Sequence, residues 1–64
     1  MTIGKQIKRY REQAGLTQEQ LAYVVGVTQE NISQMENDKL GITVDKLHKI
    51  CDALDVTITD ILEQ

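Results

Sequence analysis

Apolar residues recur every three or four positions along most of this 64-residue chain, which is the spacing of one face of an α-helix. Short stretches that contain threonine, glycine or aspartate separate these runs. The pattern predicts helices over about 2–14, 17–25 and 28–37, a fourth helix starting at Thr43 and a short fifth starting at Thr57. No strand-like alternation of useful length occurs, so the sequence predicts an all-α fold.

The apolar faces of the five predicted helices indicate one common core. A chain of this length forms one domain, so 1–64 is predicted to be a single five-helix bundle. A domain this small buries only about 60% of its unfolded surface, which leaves a thin margin of stability. The residues expected to face the core are Ile3, Ile7, Tyr10, Ala14, Leu21, Val25, Val27, Ile32, Met35, Val44, Leu47, Ile50, Cys51 and Leu54, and the fifth helix adds the apolar residues Ile58, Ile61 and Leu62.

The second and third predicted helices are joined by a tight turn. Thr17 and Gln20 have the spacing of a capping box at the start of the second helix. Ala22 is small enough to let another helix cross closely. Gly26 falls where the chain must take a left-handed conformation, which glycine adopts without a Cβ penalty. Thr28 is then expected to cap the third helix through its hydroxyl.

The third predicted helix has one strongly polar face that contains no lysine or arginine. On a helical wheel its polar residues occupy an arc of about 140°. Ile32 and Met35 lie on the opposite side. Amide, hydroxyl and carboxylate groups arranged in this way can contact base edges in the major groove of DNA, although a polar surface without a partner has the same pattern. The residues of this face are Gln29, Glu30, Ser33, Gln34 and Asn37.

The chain resembles a known family over about 3–62. It is similar to the phage-repressor and Cro-type helix-turn-helix regulators, also called the XRE type. This resemblance implies a five-helix, lambda-repressor-like DNA-binding domain with its helix-turn-helix motif at about 18–37. The residues that carry it are Gly15-Leu16-Thr17-Gln18, Leu21-Ala22, Gly26-Val27-Thr28-Gln29, Ile32-Ser33-Gln34-Met35-Glu36-Asn37 and Leu54-Asp55-Val56.

The resemblance also implies roles for individual residues. The first turns of the third helix would contact bases, led by Gln29 and Glu30. Gln18 would bind a backbone phosphate together with amides at the start of the second helix, and the end of the third helix would supply further phosphate contacts. The residues expected to contact DNA are Gln18, Thr28, Gln29, Glu30, Ser33, Gln34, Asn37 and Lys39.

Arg11 and Glu36 are expected to form a structural ion pair. Both flank apolar faces of helices that must pack together, and the family commonly joins these two positions by a salt bridge. Removing one partner of such a partly buried pair leaves an uncompensated charge, at a cost of about 3–5 kcal/mol. The pair is therefore predicted to support the fold and not to contact DNA.

The acidic balance of the chain is unusual for a DNA-binding domain. Seven basic and ten acidic residues give a formal net charge of -3. The charge is unevenly distributed, because 1–44 contains five residues of each sign and the whole excess lies in 45–64. Few phosphates would therefore be neutralised, which predicts weak non-specific binding and a shallow dependence of affinity on salt.

A homodimer bound to a palindromic operator is the expected assembly. One helix contacts only a few base pairs, whereas two copies contact half-sites about 34 Å apart. The expected dimer surface consists of Val56, Ile58, Ile61 and Leu62, although these residues could instead cover the end of the core. The alternative function is a helix-turn-helix module that docks on a protein partner, such as an antitoxin or an antirepressor.

Other classes of function have little support in the sequence. His48 and Cys51 are three residues apart, but no second ligand cluster accompanies them, and Cys51 lies on an apolar face. No catalytic residue set, metal site or cofactor is therefore expected. The sequence has no apolar run long enough for a membrane helix and no signal-peptide pattern, so the cytoplasm is the expected location.

Overall fold

The computed structural model describes residues 2–63. It contains five helices: α1 (Ile3–Gln13), α2 (Gln18–Val25), α3 (Gln29–Glu36), α4 (Val44–Leu54) and α5 (Ile58–Leu62). No strand occurs within these residues. The predicted all-α fold of five helices is confirmed, with helix ends within one or two residues of those expected.

The residues expected at the turns adopt the expected conformations. Thr17 and Gln20 form a reciprocal capping box at the start of α2. Gly26 ends α2 in the left-handed region with φ of 85°, and its amide donates to the carbonyl oxygen of Ala22 at 2.8 Å. Thr28 then accepts a hydrogen bond from the backbone amide of Asn31 and begins α3. This sequence of caps sets the direction in which α3 leaves the turn.

A single apolar core lies between the helices. α2 packs against α3 and α4, and α1 packs against α3 and α5. Side chains from all five helices contribute to this core, so α3 is held on its buried side by the rest of the molecule. The buried apolar residues are Ile7, Leu21, Ala22, Val25, Ile32, Met35, Ile50, Cys51, Leu54 and Ile61.

Two residues expected to face the core are exposed. Ala14 is the C-cap of α1 and lies just beyond the last helical turn. Val44 is the first residue of α4, at the margin of its apolar face, and is 68% exposed. Both predictions were wrong for the same reason: helical spacing assigns a residue to a face, but at a helix end no neighbouring element need cover that face.

Two buried contacts join the chain ends to the bundle. Gly4 lies against the carboxyl end of α3, where its α-carbon faces the backbone oxygens of Met35 and Glu36. Gln6, also buried, donates from Nε2 to the carbonyl oxygen of Glu63. α1 thus contacts both α3 and the end of α5.

No helix within residues 2–63 has the length and apolar character needed to cross a membrane.

Candidate nucleic-acid interface

The solvent-facing side of α3 presents four polar side chains. Gln29 and Glu30, in the first turn, are exposed, and Ser33 and Gln34, one turn later, are half-buried. Within residues 2–63, none of these four side chains hydrogen-bonds to another protein group. On the opposite side of the helix, Ile32 is fully buried and Met35 nearly so. The face is therefore both unengaged and rigidly supported, as a recognition surface requires.

The start of α3 is fixed by the hydroxyl of Thr28. This oxygen accepts from the backbone amide of Asn31 at 3.1 Å. A hydroxyl has one donor besides its acceptor lone pairs, so the Thr28 O–H group remains available to an external acceptor. Thr28 is exposed, which places that donor at the surface beside Gln29.

The end of α3 is fixed by backbone contacts in the following loop. Asn37 donates from Nδ2 to the carbonyl oxygen of Ser33 at 2.8 Å, and the Lys39 amide donates to the carbonyl oxygen of Gln34 at 2.8 Å. Asp38 has a positive φ of 60°, and its Oδ2 accepts from the Thr2 hydroxyl at 2.7 Å. The exposed Lys39 side chain therefore projects from an ordered turn.

Arg11 and Glu36 form the expected ion pair. Arg11 Nε lies 2.6 Å from Glu36 Oε2, and Nη2 donates to Oε1 at 3.1 Å. A third group, Nη1, donates to the carbonyl oxygen of Leu16 at 2.8 Å. The hydrogen bond to Glu36 raises the pKa of Arg11 above its ordinary value, an effect that desolvation partly opposes. The arginine therefore stays charged throughout the physiological pH range.

Gln18 makes a contact that was not predicted from the sequence. It is half-buried at the first position of α2, and its Nε2 donates to Glu36 Oε1 at 3.0 Å. From the sequence, Gln18 is expected to bind a phosphate, and its contact with Glu36 was not predicted. A signal was present in the sequence, because at helical spacing Gln18 shares a face with Leu21, Ala22 and Val25, which are all buried.

Comparison with known proteins assigns the chain to a family. A model of the family described as helix-turn-helix matches residues 7–61, which is most of the chain. The chain belongs to the helix-turn-helix family. The predicted resemblance to the XRE-type regulators is thereby confirmed.

Individual helix-turn-helix proteins are similar over most of this chain. The antitoxin PezA of Streptococcus pneumoniae serotype 4 is 33% identical over 60 residues, covering 94% of this chain but 38% of that protein. The clp gene regulator ClgR from Corynebacterium glutamicum matches with a TM-score of 0.92 at 25% identity, covering 94% of this chain and 64% of that one. The biofilm regulator SinR of Bacillus subtilis, solved in complex with DNA, matches with a TM-score of 0.90 at 30% identity, covering 97% and 100%.

The C-terminal apolar residues of this helix-turn-helix chain differ widely in exposure. Ile61 is fully buried in the core, so its side chain offers no surface to a second copy. Its inclusion in the expected dimer surface was wrong, because it lies on the inner side of α5. Val56 and Ile58 are half-buried, and Leu62 is 52% exposed. These three residues are the part of the predicted set that a partner could reach.

A second exposed apolar surface of the helix-turn-helix unit lies on α2. Tyr23 is 89% exposed and Val24 is 61% exposed, and with Leu16 they line a shallow groove. This surface was not predicted from the sequence, because the apolar run over 21–25 contains two outward-facing residues between buried ones. His48 is exposed and Cys51 is buried, so these two side chains do not form a common site.

Proposed function

We propose that this chain is a sequence-specific DNA-binding transcriptional regulator that inserts α3 into the major groove of a duplex. The observation that carries the proposal is the exposed, unbonded polar face of α3 on a helix backed by the buried Ile32 and Met35. The similarity to SinR, a regulator solved in complex with DNA, supports it. The described helix-turn-helix geometry is the one through which this motif contacts base edges.

The chemistry of the four side chains suits direct contact with bases. A glutamine amide can make two hydrogen bonds with adenine, and a carboxylate can accept a hydrogen bond from the cytosine amino group. Ser33 can contact several bases, since its hydroxyl both donates and accepts. Glu30 is repelled by nearby phosphates and loses hydration in the groove, so it is tolerated there only where a base donates a hydrogen bond to it or a neighbouring cation neutralises it. Glu30 therefore contributes to specificity more than to affinity.

Backbone phosphates are contacted from both ends of the motif. Gln18 and Thr28 each retain a donor group at the N-terminal ends of α2 and α3. Asn37 and Lys39 lie at the other end of α3, and Lys39 adds a positive charge. Only one of these four residues is cationic, so the salt dependence of binding is shallow.

Two copies of the chain bind a palindromic operator. The pairing surface consists of Val56, Ile58 and Leu62, whose apolar side chains remain at least partly accessible in the single copy. A domain of this size contacts few base pairs and has little core, so pairing adds both specificity and stability. The expected half-sites are about 34 Å apart.

Selection of bound duplexes from a random DNA pool tests this function. The expected result is a short palindromic site, and replacing Gln29, Glu30, Ser33 and Gln34 by alanine should abolish that preference while the protein stays folded. The matched control replaces Asp45, His48, Lys49 and Asp52, on the exposed face of α4, by alanine. This control changes the formal charge by the same amount as the α3 variant. Enrichment of the same site by the α3 variant would contradict the proposal.

Docking on a protein is the second candidate function. The exposed Tyr23 and Val24 favour it, because a large apolar side chain with this exposure suits a protein contact. The similarity to PezA, a protein named as an antitoxin, is consistent with it. Retention on heparin or random-sequence DNA at low salt distinguishes the two functions. A chain that serves only as a docking module should be retained neither on a heparin column nor on a column of immobilised random-sequence DNA.

A further inference from the structure

The buried Arg11–Glu36 pair extends to the start of α2 through Gln18. Glu36 Oε1 accepts two hydrogen bonds, one from Arg11 Nη2 at 3.1 Å and one from Gln18 Nε2 at 3.0 Å. An ion pair between α1 and α3 needs no contact with Gln18, and the glutamine does not lie between the two charges. The contact is therefore not part of the ion pair itself and instead constrains the Gln18 side chain.

The chemistry of Glu36 fixes the orientation of the Gln18 amide. An ionised carboxylate only accepts hydrogen bonds, so Gln18 must present its NH₂ group to it and never its carbonyl oxygen. A flipped amide would place two acceptor oxygens in contact. One N–H group of Gln18 is used by Glu36, and the second N–H group remains free to donate elsewhere.

Glu36 is itself held in place by its contacts. It is 2% exposed and is held at both oxygens by Arg11. Arg11 in turn donates to the carbonyl oxygen of Leu16, the residue before the Thr17 cap of α2. Gln18 is thus fixed relative to α1, to α3 and to the first turn of its own helix. Such preorganisation removes the entropy cost of ordering a glutamine side chain on binding.

We propose that Glu36 is a positioning residue for DNA binding, which holds Gln18 so that its second N–H group donates to a backbone phosphate. This inference rests on the DNA-binding function proposed above. It assigns the buried ion pair two roles, one in the fold and one in setting the donor at the protein–DNA boundary. It also predicts that binding energy from Gln18 depends on a residue that does not touch DNA.

A double-mutant cycle in DNA affinity tests the coupling. Gln18→Ala should weaken binding about tenfold, both to the selected duplex and to a shuffled duplex, because it removes a hydrogen bond to a charged group. Glu36→Gln preserves shape but can donate to the Gln18 oxygen and flip the amide, so it should weaken binding severalfold. In the Gln18→Ala background, Glu36→Gln should have little further effect.

Lys39→Ala provides a matched control for phosphate binding. Lysine carries charge and releases a counterion, so its loss should reduce the slope of log affinity against log salt. Gln18 is uncharged, and its loss should lower affinity with no change in that slope. Titrations at several salt concentrations separate the two kinds of phosphate contact.

A second variant controls for unfolding that Glu36→Gln could cause by leaving the buried Arg11 charge unpaired. Arg11→Met combined with Glu36→Leu removes both charges together, which stabilises or spares many proteins with buried pairs. Gln18 loses its acceptor in this background, so Gln18→Ala should now cost much less affinity than in the unmodified chain. Side-chain amide resonances of Gln18 should also shift between the two backgrounds, and denaturant melts establish that each variant is folded.

The outcomes separate this inference from the proposed function. If Glu36→Gln or the double replacement weakens binding equally with and without Gln18, Glu36 acts only through the fold and the inference is wrong. Specific binding by the unmodified chain in that case leaves the proposed function standing. If the unmodified chain binds neither duplex, the proposed function fails, and the inference fails with it.

Discussion

At the scale of single residues, Gly4 controls how closely α1 approaches α3. A Cβ atom at this position would collide with the backbone oxygen of Met35 and lie 2.6 Å from Asp38 Oδ1 and 3.1 Å from the backbone oxygen of Glu36. Two of these three obstacles are backbone atoms, which cannot rotate away as a side chain can. The close crossing therefore requires glycine for its lack of a side chain, and its φ is not the reason.

Gly4→Ala should destabilise the fold by about 1–3 kcal/mol, because α1 and the end of α3 must separate to admit the methyl group. Gly41→Ala is the control, since a Cβ there meets no atom within 4 Å and Gly41 is not among the positive-φ glycines. That control should be neutral or slightly stabilising. Denaturant melts of both variants measure the difference, and equal stability would show that α1 can shift freely.

Single residues are also where the sequence was least informative. The need for glycine at position 4 depends on which elements cross there, and nothing near Gly4 in the sequence indicates that crossing. The contact between Gln18 and Glu36 likewise joins residues 18 positions apart. By contrast, Gly26 and Thr28 act within their own turn, and their roles followed directly from local chemistry.

At the scale of elements, all five helices begin in the same way. Each is capped by a threonine whose hydroxyl accepts a hydrogen bond from the backbone amide three residues later. This repeated cap is why helix starts could be predicted closely from sequence. Helix ends and exposed faces were harder, as Val44 shows, because they depend on which neighbouring helix is present.

Thr28→Ala and Thr43→Ala should each destabilise the fold by about 1 kcal/mol, since each removes one N-cap hydrogen bond. Only Thr28 lies beside the proposed DNA-contacting face, at the start of α3. Thr28→Ala should therefore also weaken DNA binding, whereas Thr43→Ala should leave the affinity of the folded protein unchanged. Melts and anisotropy titrations on the same samples provide both measurements. Equal affinities would show that Thr28 serves only as a cap.

At the scale of the whole molecule, basic and acidic residues are segregated along the chain. Four cations and no acid lie in 1–11, whereas 45–64 carries the whole acidic excess. The exposed part of Leu62 lies within this acidic portion. The proposed pairing of two copies through this region would have to overcome some electrostatic repulsion, so higher salt should favour the dimer while it weakens contacts with phosphate.

Leu62→Glu should shift the chain from dimer to monomer, because it replaces an apolar contact with a charge in an already acidic region. Leu62 is half exposed, so the fold of the single copy should be little affected. Val24→Glu is the matched control, since Val24 is 61% exposed on α2, whereas α5 packs against α1 and α4. Sedimentation equilibrium of the two variants measures the fraction of dimer in each. A dimer that persists in Leu62→Glu, or is lost in Val24→Glu, would place the pairing surface elsewhere.

The chain's single thiol makes it well suited to site-selective labelling. Cys51 is buried in the core, and desolvation, with a further contribution from Asp52 and Asp60, raises its pKa above the ordinary value for a cysteine. In the native state it is therefore protonated and shielded from reagents. A second cysteine placed at an exposed position would react with a maleimide dye, whereas the buried Cys51 would not. Distance measurements across a protein–DNA complex would then need no cysteine-free background.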